Sequence, residues 1–191
     1  MSEQAATATR WLTEREQRAW RAYLDMNSRL TARLNRELQD ESGLSIADFS
    51  VLVQLSEHVD ARMRVLELAR ALRWEKSRLS HQLSRMQQRG LVERSNCTED
   101  RRGAFMLLTD RGREAIEQAA PRHVEAVRQN LFDALTDDQV RTLEAIAGVV
   151  VARLDAAGAV DGDACDSDAA SDTGGIDSDT GVGPSVPLPC R

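Results

Sequence analysis

One stretch near the middle of this 191-residue chain constrains the fold more than any other. Two segments with helical spacing, 65–72 and 75–89, come before Gly90, a residue that suits the left-handed conformation ending many helices. Two strand-like segments follow, 91–95 and 104–108, separated by a polar loop that contains adjacent arginines. Two helices followed by such a hairpin are typical of a winged helix-turn-helix, which inserts its second helix into the major groove of double-stranded DNA.

The second of these helices has two faces of different chemistry. Leu79, Leu83 and Met86 recur at helical intervals and predict a stripe buried against the preceding helix. On the opposite face every side chain can donate a hydrogen bond and none is acidic, which suits the acceptors of phosphates and base edges. For His81 an ordinary surface role fits equally well, and Trp74 before the helix is expected to be a packing anchor. The residues expected to contact DNA are Lys76, Ser77, Arg78, Ser80, His81, Gln82 and Arg85.

The loop of the hairpin, residues 97–103, has the sequence CTEDRRG. Adjacent arginines at a hairpin tip can enter the minor groove, where narrow tracts enhance the negative potential. Asp100 would be a poor neighbour for phosphate, so we expect it to orient an arginine side chain through a charge-assisted hydrogen bond.

Two motifs around this hairpin resemble those of the MarR family (multiple antibiotic resistance regulator) of transcription factors. One is the run RMQQRGLV at 85–92, and the other is DRRG at 100–103, followed by Leu108 and Thr109. The resemblance extends over about residues 11–155. It implies a mainly α fold with a small β wing, in which N- and C-terminal dimerisation helices flank a winged helix-turn-helix.

The resemblance also implies a triangular homodimer that acts as a ligand-relieved repressor. Arg102, with Arg101 beside it, would enter the minor groove, and Asp100 would support it. The effectors of such regulators are commonly small phenolic or anionic compounds, bound between the dimerisation helices and the winged module. The side chains that could line such a pocket, or occupy ordinary core and surface positions instead, are Trp20, Tyr23 and His58.

Capping boxes mark the starts of the flanking helices. Thr13 opens a helix over 13–40, Ser45 opens a second, and Thr136 opens the last, each followed three residues later by Glu, Asp or Gln. The first and last helices carry wide apolar stripes that a module of 45 residues offers little surface to cover, so we expect them to pack across a dimer. Pro121 predicts a kink or break in the intervening helix.

These patterns divide the chain into four parts. The predicted parts are an N-terminal dimerisation helix (11–44), a winged helix-turn-helix DNA-binding domain (45–110), C-terminal dimerisation helices (111–155) and a disordered acidic tail (156–191).

A net charge of −6 taken alone argues against DNA binding, but the net negative charge is confined to one segment of the chain. Residues 161–191 contain seven Asp and one Arg and so carry all of it, while residues 1–160 hold 24 acids and 24 bases. Within 62–113 there are 13 Lys and Arg against 6 Asp and Glu, the footprint of a phosphate-facing surface. The acidic tail either solubilises the protein or competes with DNA for this basic block.

Other functional classes find little support. Among the three histidines there is no HExxH, and neither GxSxG nor a glycine-rich phosphate loop occurs, so we expect no enzyme and no cofactor. The three cysteines form no CxxC pair, which argues against a zinc site or a disulfide framework. With no signal-peptide pattern and no apolar run of roughly 18 residues, the expected location is the cytoplasm, away from membranes.

Three alternatives stay open. The regulator could activate rather than repress, because the sign depends on where its operator lies. Oxidation of Cys97 in the wing, beside Arg94 and Arg101, could weaken DNA binding. The winged module could also serve protein interaction alone, although such a module needs neither an acid-free helix face nor an arginine-tipped wing.

Overall fold

The computed structural model describes residues 9–96 and 104–161. This part of the chain holds a small antiparallel sheet of order β1-β3-β2, surrounded by helices. The elements are α1 (Glu14–Ser42), α2 (Ile46–Glu57), β1 (Arg62–Arg64), α3 (Val65–Leu72), α4 (Lys76–Gln88), β2 (Val92–Asn96), β3 (Ala104–Leu108), α5 (Asp110–Asn130), a 3-10 turn (Phe132–Ala134) and α6 (Asp137–Asp161). The predicted class, mainly α with a small β wing behind a helix pair, is confirmed.

The predicted capping boxes form as complete pairs of hydrogen bonds. At α1 the amide of Glu16 donates to the Thr13 hydroxyl, and the Glu16 carboxylate accepts from the Thr13 amide at 2.7 Å. These bonds from the Thr13 amide and hydroxyl lower the pKa of Glu16. The boxes at Ser45 and Thr136 close in the same way, so each of these three helix starts satisfies backbone donors that would otherwise have no partner.

The core lies where α2 passes through the winged module. Phe49, Leu52 and Leu55 of α2 are fully buried, because six elements pack around this helix. The side chains that meet them come from α3 (Leu68, Leu72), α4 (Leu79, Leu83, Met86), β3 (Met106) and α5 (Ile116, Ala119). His123 of α5 also packs here, its ring 4.5 Å from that of Phe49, and burial lowers its pKa.

Pro121 does not break α5, so the predicted break is wrong, and the predicted kink stays a prediction. Proline removes one backbone donor. The helix nevertheless continues to Asn130, because Ile116, Ala119 and His123 on both sides of Pro121 are buried. It ends at Asn130, and the 3-10 turn over Phe132–Ala134 follows.

The last helix is longer than predicted. Residues 156–161 were assigned to the disordered tail, but they form the final turns of α6. Ala156, Ala157 and Ala159 have the highest helix propensity of any residue type, and this explains the extension. The rest of the predicted tail, 162–191, lies outside the described residues.

The first and last helices leave large apolar side chains uncovered in the single subunit. Trp20 and Tyr23 of α1 are about half exposed and stack on each other with 5.7 Å between ring centroids. On α6, Val149 and Leu154 are 73% and 59% exposed. None of the described helices is long and apolar enough to cross a membrane.

Gly112 permits the close contact between α5 and the hairpin. A Cβ at this position would lie 2.0 Å from the Leu91 carbonyl oxygen and 2.9 Å from a methyl carbon of Leu108. We expect Gly112→Ala to lower the free energy of unfolding by about 1–3 kcal/mol, because backbone must move to make room. Gly148→Ala is the matched control, since a Cβ added there meets no atom within 4 Å apart from its chain neighbours and the nearby backbone of its own helix, and alanine favours the helix. Urea denaturation compares the two, and equal stabilities would contradict this account.

Candidate nucleic-acid interface

The exposed side of α4 forms a continuous polar surface. Its buried stripe consists of Leu79, Gln82, Leu83 and Met86, and every residue on the opposite side is exposed. We call that side the recognition face, made up of Lys76, Ser77, Arg78, Ser80, His81, Ser84, Arg85 and Gln88.

The structure adds two residues to the predicted surface. Ser84 and Gln88 were not among the expected contacts, yet both are exposed on the recognition face. They follow Ser77 by seven and eleven residues, which returns them to the same side of a helix with 3.6 residues per turn. The periodicity of the sequence could therefore have identified them.

The predicted position of Gln82, on the face opposite the buried stripe, is wrong. Its side chain is buried, and its Nε2 donates to Oδ1 of Asp48 at 2.6 Å. Three residues after Leu79 and four before Met86, it falls within the core-facing stripe rather than opposite it. A side-chain amide held there by a buried carboxylate cannot also pair with an adenine edge.

Asp48 joins α4 to the rest of the module. This buried carboxylate accepts from the amide and hydroxyl of Ser45 at 2.9 and 2.8 Å, from Gln82, and from Nη1 of Arg89 at 2.8 Å. Nη2 of Arg89 also donates to the Gly43 carbonyl at the end of α1, at 2.7 Å. We call these five residues the Asp48 cluster. It fixes α4 at its middle and at its C-terminal end.

Trp74 sets the direction of Arg78. The indole is buried, which confirms its role as a packing anchor, and the Arg78 guanidinium carbon lies 4.8 Å from the ring centroid. A cation over an indole gains about 0.5–1 kcal/mol at an exposed site. The stacked guanidinium keeps its donors at the edge of the recognition face.

A cavity of about 370 Å³ lies between α4 and the sheet. Three of its lining residues are cationic: Arg64 of β1, Lys76 of α4 and Arg94 of β2. Leu83 and Met106 give it an apolar floor, and none of its described lining residues is acidic. The chemistry of this lining suits a small anion with an apolar body.

The hairpin brings the ends of the wing loop together, because Asn96 pairs with Ala104 across β2 and β3. The loop between them lies outside the described residues. The predicted roles of its side chains, Cys97, Asp100, Arg101 and Arg102, therefore stay predictions.

Arg73 connects the approach to α4 with the last helix. It ends α3 in the left-handed conformation, φ 54°, and its Nη2 lies 3.1 Å from Oδ1 of Asp155 on α6. Both side chains are more than half exposed, so the ion pair contributes little stability. It nevertheless places the final turns of α6 beside the turn that leads into α4.

Of the three residues expected near an effector, only two are joined by a ring contact among the described residues. Trp20 and Tyr23 contact each other on α1, whereas His58 is exposed just after α2 and makes no ring contact with either among the described residues.

Comparisons with known proteins agree on one family. The MarR family model matches residues 44–103. The chain is similar to AbsC, a MarR family transcriptional regulator from Streptomyces coelicolor, with 43% identity and a TM-score of 0.72 over 78% of this chain and 99% of that one. It is similar to Sco3205, a MarR family regulator from the same organism solved in complex with DNA, with 41% identity and a TM-score of 0.72 over 76% and 91% of the two chains.

A comparison by sequence similarity also finds a transcriptional regulator. The chain is 33% identical over 104 residues to the HTH-type transcriptional repressor YetL of Bacillus subtilis, and the match spans 53% of this chain and 62% of YetL.

Asp48 should matter far more to stability than an exposed carboxylate. Asp48→Asn keeps the size of the side chain but removes the charge and presents an amide donor to groups that are themselves donors. Because several charge-assisted bonds weaken at once, we expect the free energy of unfolding to fall by about 2–3 kcal/mol. Asp60→Asn is the matched control, an exposed carboxylate paired with Arg62, and should cost under about 0.5 kcal/mol. Similar midpoints of urea unfolding for the two variants would rule out the cluster as a major support.

Proposed function

Because the chain belongs to the MarR family of transcriptional regulators, we propose that it is a repressor that binds a pseudo-palindromic operator as a homodimer in the cytoplasm. Family membership makes it a regulator rather than an enzyme. The observation that carries the proposal is the recognition face, an exposed, acid-free surface on a helix held in place by the Asp48 cluster.

The distribution of side chains on the recognition face fits a major groove. At 3.6 residues per turn, Ser77, His81 and Ser84 lie along its centre, where short side chains allow close approach to base edges. Arg78 and Arg85 follow one edge and can reach guanine or phosphate. Lys76 and Ser80 occupy the other edge.

The wing would add a second contact with DNA. By resemblance to the family, Arg102 enters the minor groove with Arg101 beside it, and Asp100 orients the guanidinium. The pairing of β2 with β3 supports this role, because it brings the two ends of the loop together at Asn96 and Ala104, and Ala104 also lines the cavity next to α4.

Dimerisation accounts for the uncovered apolar residues. We assign dimerisation to the helices of residues 11–44 and 111–155, with α6 extended to Asp161. We assign DNA binding to residues 45–110. Trp20 and Tyr23 on α1, and Val149 and Leu154 on α6, are unusual on a surface that stays in water. A two-fold dimer would place its recognition helices about one helical turn of DNA apart, roughly 34–36 Å.

The cavity between α4 and the sheet is a candidate site for a small phenolic or anionic effector, although it lies within the winged module and not, as the family resemblance implies, between that module and the dimerisation helices. Arg64, Lys76 and Arg94 would bind the anionic group, and Met106 would contact the ring. Such a ligand relieves repression only if it binds the DNA-free arrangement more tightly than the DNA-bound one. YetL is a repressor, and this similarity favours repression over activation.

Removing one arginine from the recognition face should weaken binding in a sequence-dependent way. We expect Arg78→Ala or Arg85→Ala to raise the Kd for the operator by about 10–100-fold, because a bidentate contact with guanine discriminates by about 1–3 kcal/mol. Arg29→Ala on α1, 80% exposed, is the control and should leave the Kd unchanged. Fluorescence anisotropy on the chain's own upstream DNA and on a scrambled duplex, at two salt concentrations, measures both. An unchanged Kd in both variants would exclude these arginines as DNA contacts, and a wild type that binds neither duplex would favour a module that never contacts DNA.

A charge on the apolar side of α6 should separate the subunits. Val149→Asp would bury a carboxylate without a partner in the proposed interface, at a cost large enough to give monomers at micromolar concentration. Val59→Asp makes the same change at a 98% exposed position after α2 and should leave the dimer intact. Sedimentation velocity distinguishes the species, and a wild-type dimer in Val149→Asp would exclude this part of α6 from the interface.

A further inference from the structure

We propose that the acidic C-terminal segment, residues 162–191, docks on the recognition face and competes there with operator DNA. The docking is a property of the protein alone, and only its effect on operator binding rests on the proposed function. Two independent observations carry the inference: the charges of the two surfaces, and the place where the segment begins.

The charges are complementary. The segment contains six Asp and one Arg, with the aspartates two to five residues apart. The recognition face presents Lys76, Arg78 and Arg85, all exposed, and none of them forms an ion pair within the described part of the chain. Carboxylates bind guanidinium groups with the same paired hydrogen bonds that phosphates use, so the segment offers the chemistry of a nucleic-acid backbone.

The segment starts close to this face. Nη2 of Arg73 lies 3.1 Å from Oδ1 of Asp155, so this ion pair holds α6 next to Arg73. Arg73 is three residues before Lys76, the first residue of the recognition face. Asp161 ends α6 about 9 Å further along the helix axis. The Cα atoms of Arg73 and Lys76 are at most about 11 Å apart, since consecutive Cα atoms are separated by about 3.8 Å.

The segment is long enough to cover the face. From Lys76 to Arg85 the recognition face extends about 14 Å along the axis of α4. An extended chain advances about 3.3–3.6 Å per residue, so about 15 residues beyond Asp161 reach Lys76 and continue to Arg85. The segment has 30 residues, twice that number.

The competition should be moderate and sensitive to salt. Each exposed carboxylate–guanidinium contact is weak, but a tethered segment acts at a high effective concentration. Salt weakens the docked state as well as DNA binding, so the segment lowers operator affinity most where the salt concentration is lowest. The full chain should therefore show a shallower dependence of log Kd on log salt than a chain with a neutral segment.

A native cysteine in the segment allows the docking to be measured without DNA. In the full chain carrying Cys97→Ser and Cys190→Ser, a nitroxide attached to Cys165 should broaden the amide resonances of Ser77, His81 and Ser84. The broadening should be present at about 50 mM salt and lost at about 500 mM, where the Debye length is under about 5 Å. Absence of broadening on α4 at the lower salt concentration would overturn the proposal.

Charge-neutralised variants of the same length test the cause. Asn at positions 163, 166, 168, 172, 177 and 179 should abolish the broadening and lower the Kd for the operator about five- to tenfold at low salt, with a steeper salt dependence. Ala at Ser167, Ser171 and Ser178 is the matched control and should retain wild-type behaviour. Equal operator affinity and equal salt dependence in the Asn variant and the wild type would overturn the competition.

The two proposals fail in different ways. If the label broadens α4 but no variant binds operator DNA, then the docking stands and the proposed operator binding fails. If operator DNA binds normally and the label leaves α4 unaffected, then the operator binding stands and the docking fails.

Discussion

The buried carboxylate of Asp48 is the interaction on which the arrangement of the winged module depends. A charge taken out of water is tolerated only where donors replace its hydration, and here Ser45, Gln82 and Arg89 supply them. Because these donors come from the start of α2 and from two points along α4, satisfying the charge also determines where α4 lies. The same Asp side chain completes the capping box of α2, so one residue serves local and tertiary structure together.

The Asp48 cluster also connects the two proposed activities. Arg89 donates to the Gly43 carbonyl at the end of α1, so α1, assigned to dimerisation, ends on a residue of the cluster that holds α4. A change in the angle between α1 and α2 would therefore strain bonds to α4, and this gives a physical connection through which a dimer rearrangement reaches the recognition face. Arg73 and Asp155 form a second, weaker connection between α6 and the turn before α4.

Local signals in the sequence predicted the local structure well. The boxes at Thr13, Ser45 and Thr136 opened helices where expected, and the hairpin motifs indicated a family that the comparisons confirm. Two of the errors have the same cause, which is tertiary contact. The amide of Gln82 suits DNA as well as it suits a buried partner 34 residues away, and local periodicity does not show which one it meets. Pro121 is likewise tolerated because the core holds α5 on both sides.

The buried and the exposed positions of α4 have different roles, and this difference affects how the DNA preference of such a protein can evolve. Leu79 and Gln82 are buried, so substitutions there lower the free energy of unfolding. Ser77 and Ser84 are exposed and support no other described side chain. Under the proposed function, new side chains at these two positions would alter which bases are favoured while the fold keeps its stability, so target choice and folding could evolve at different rates.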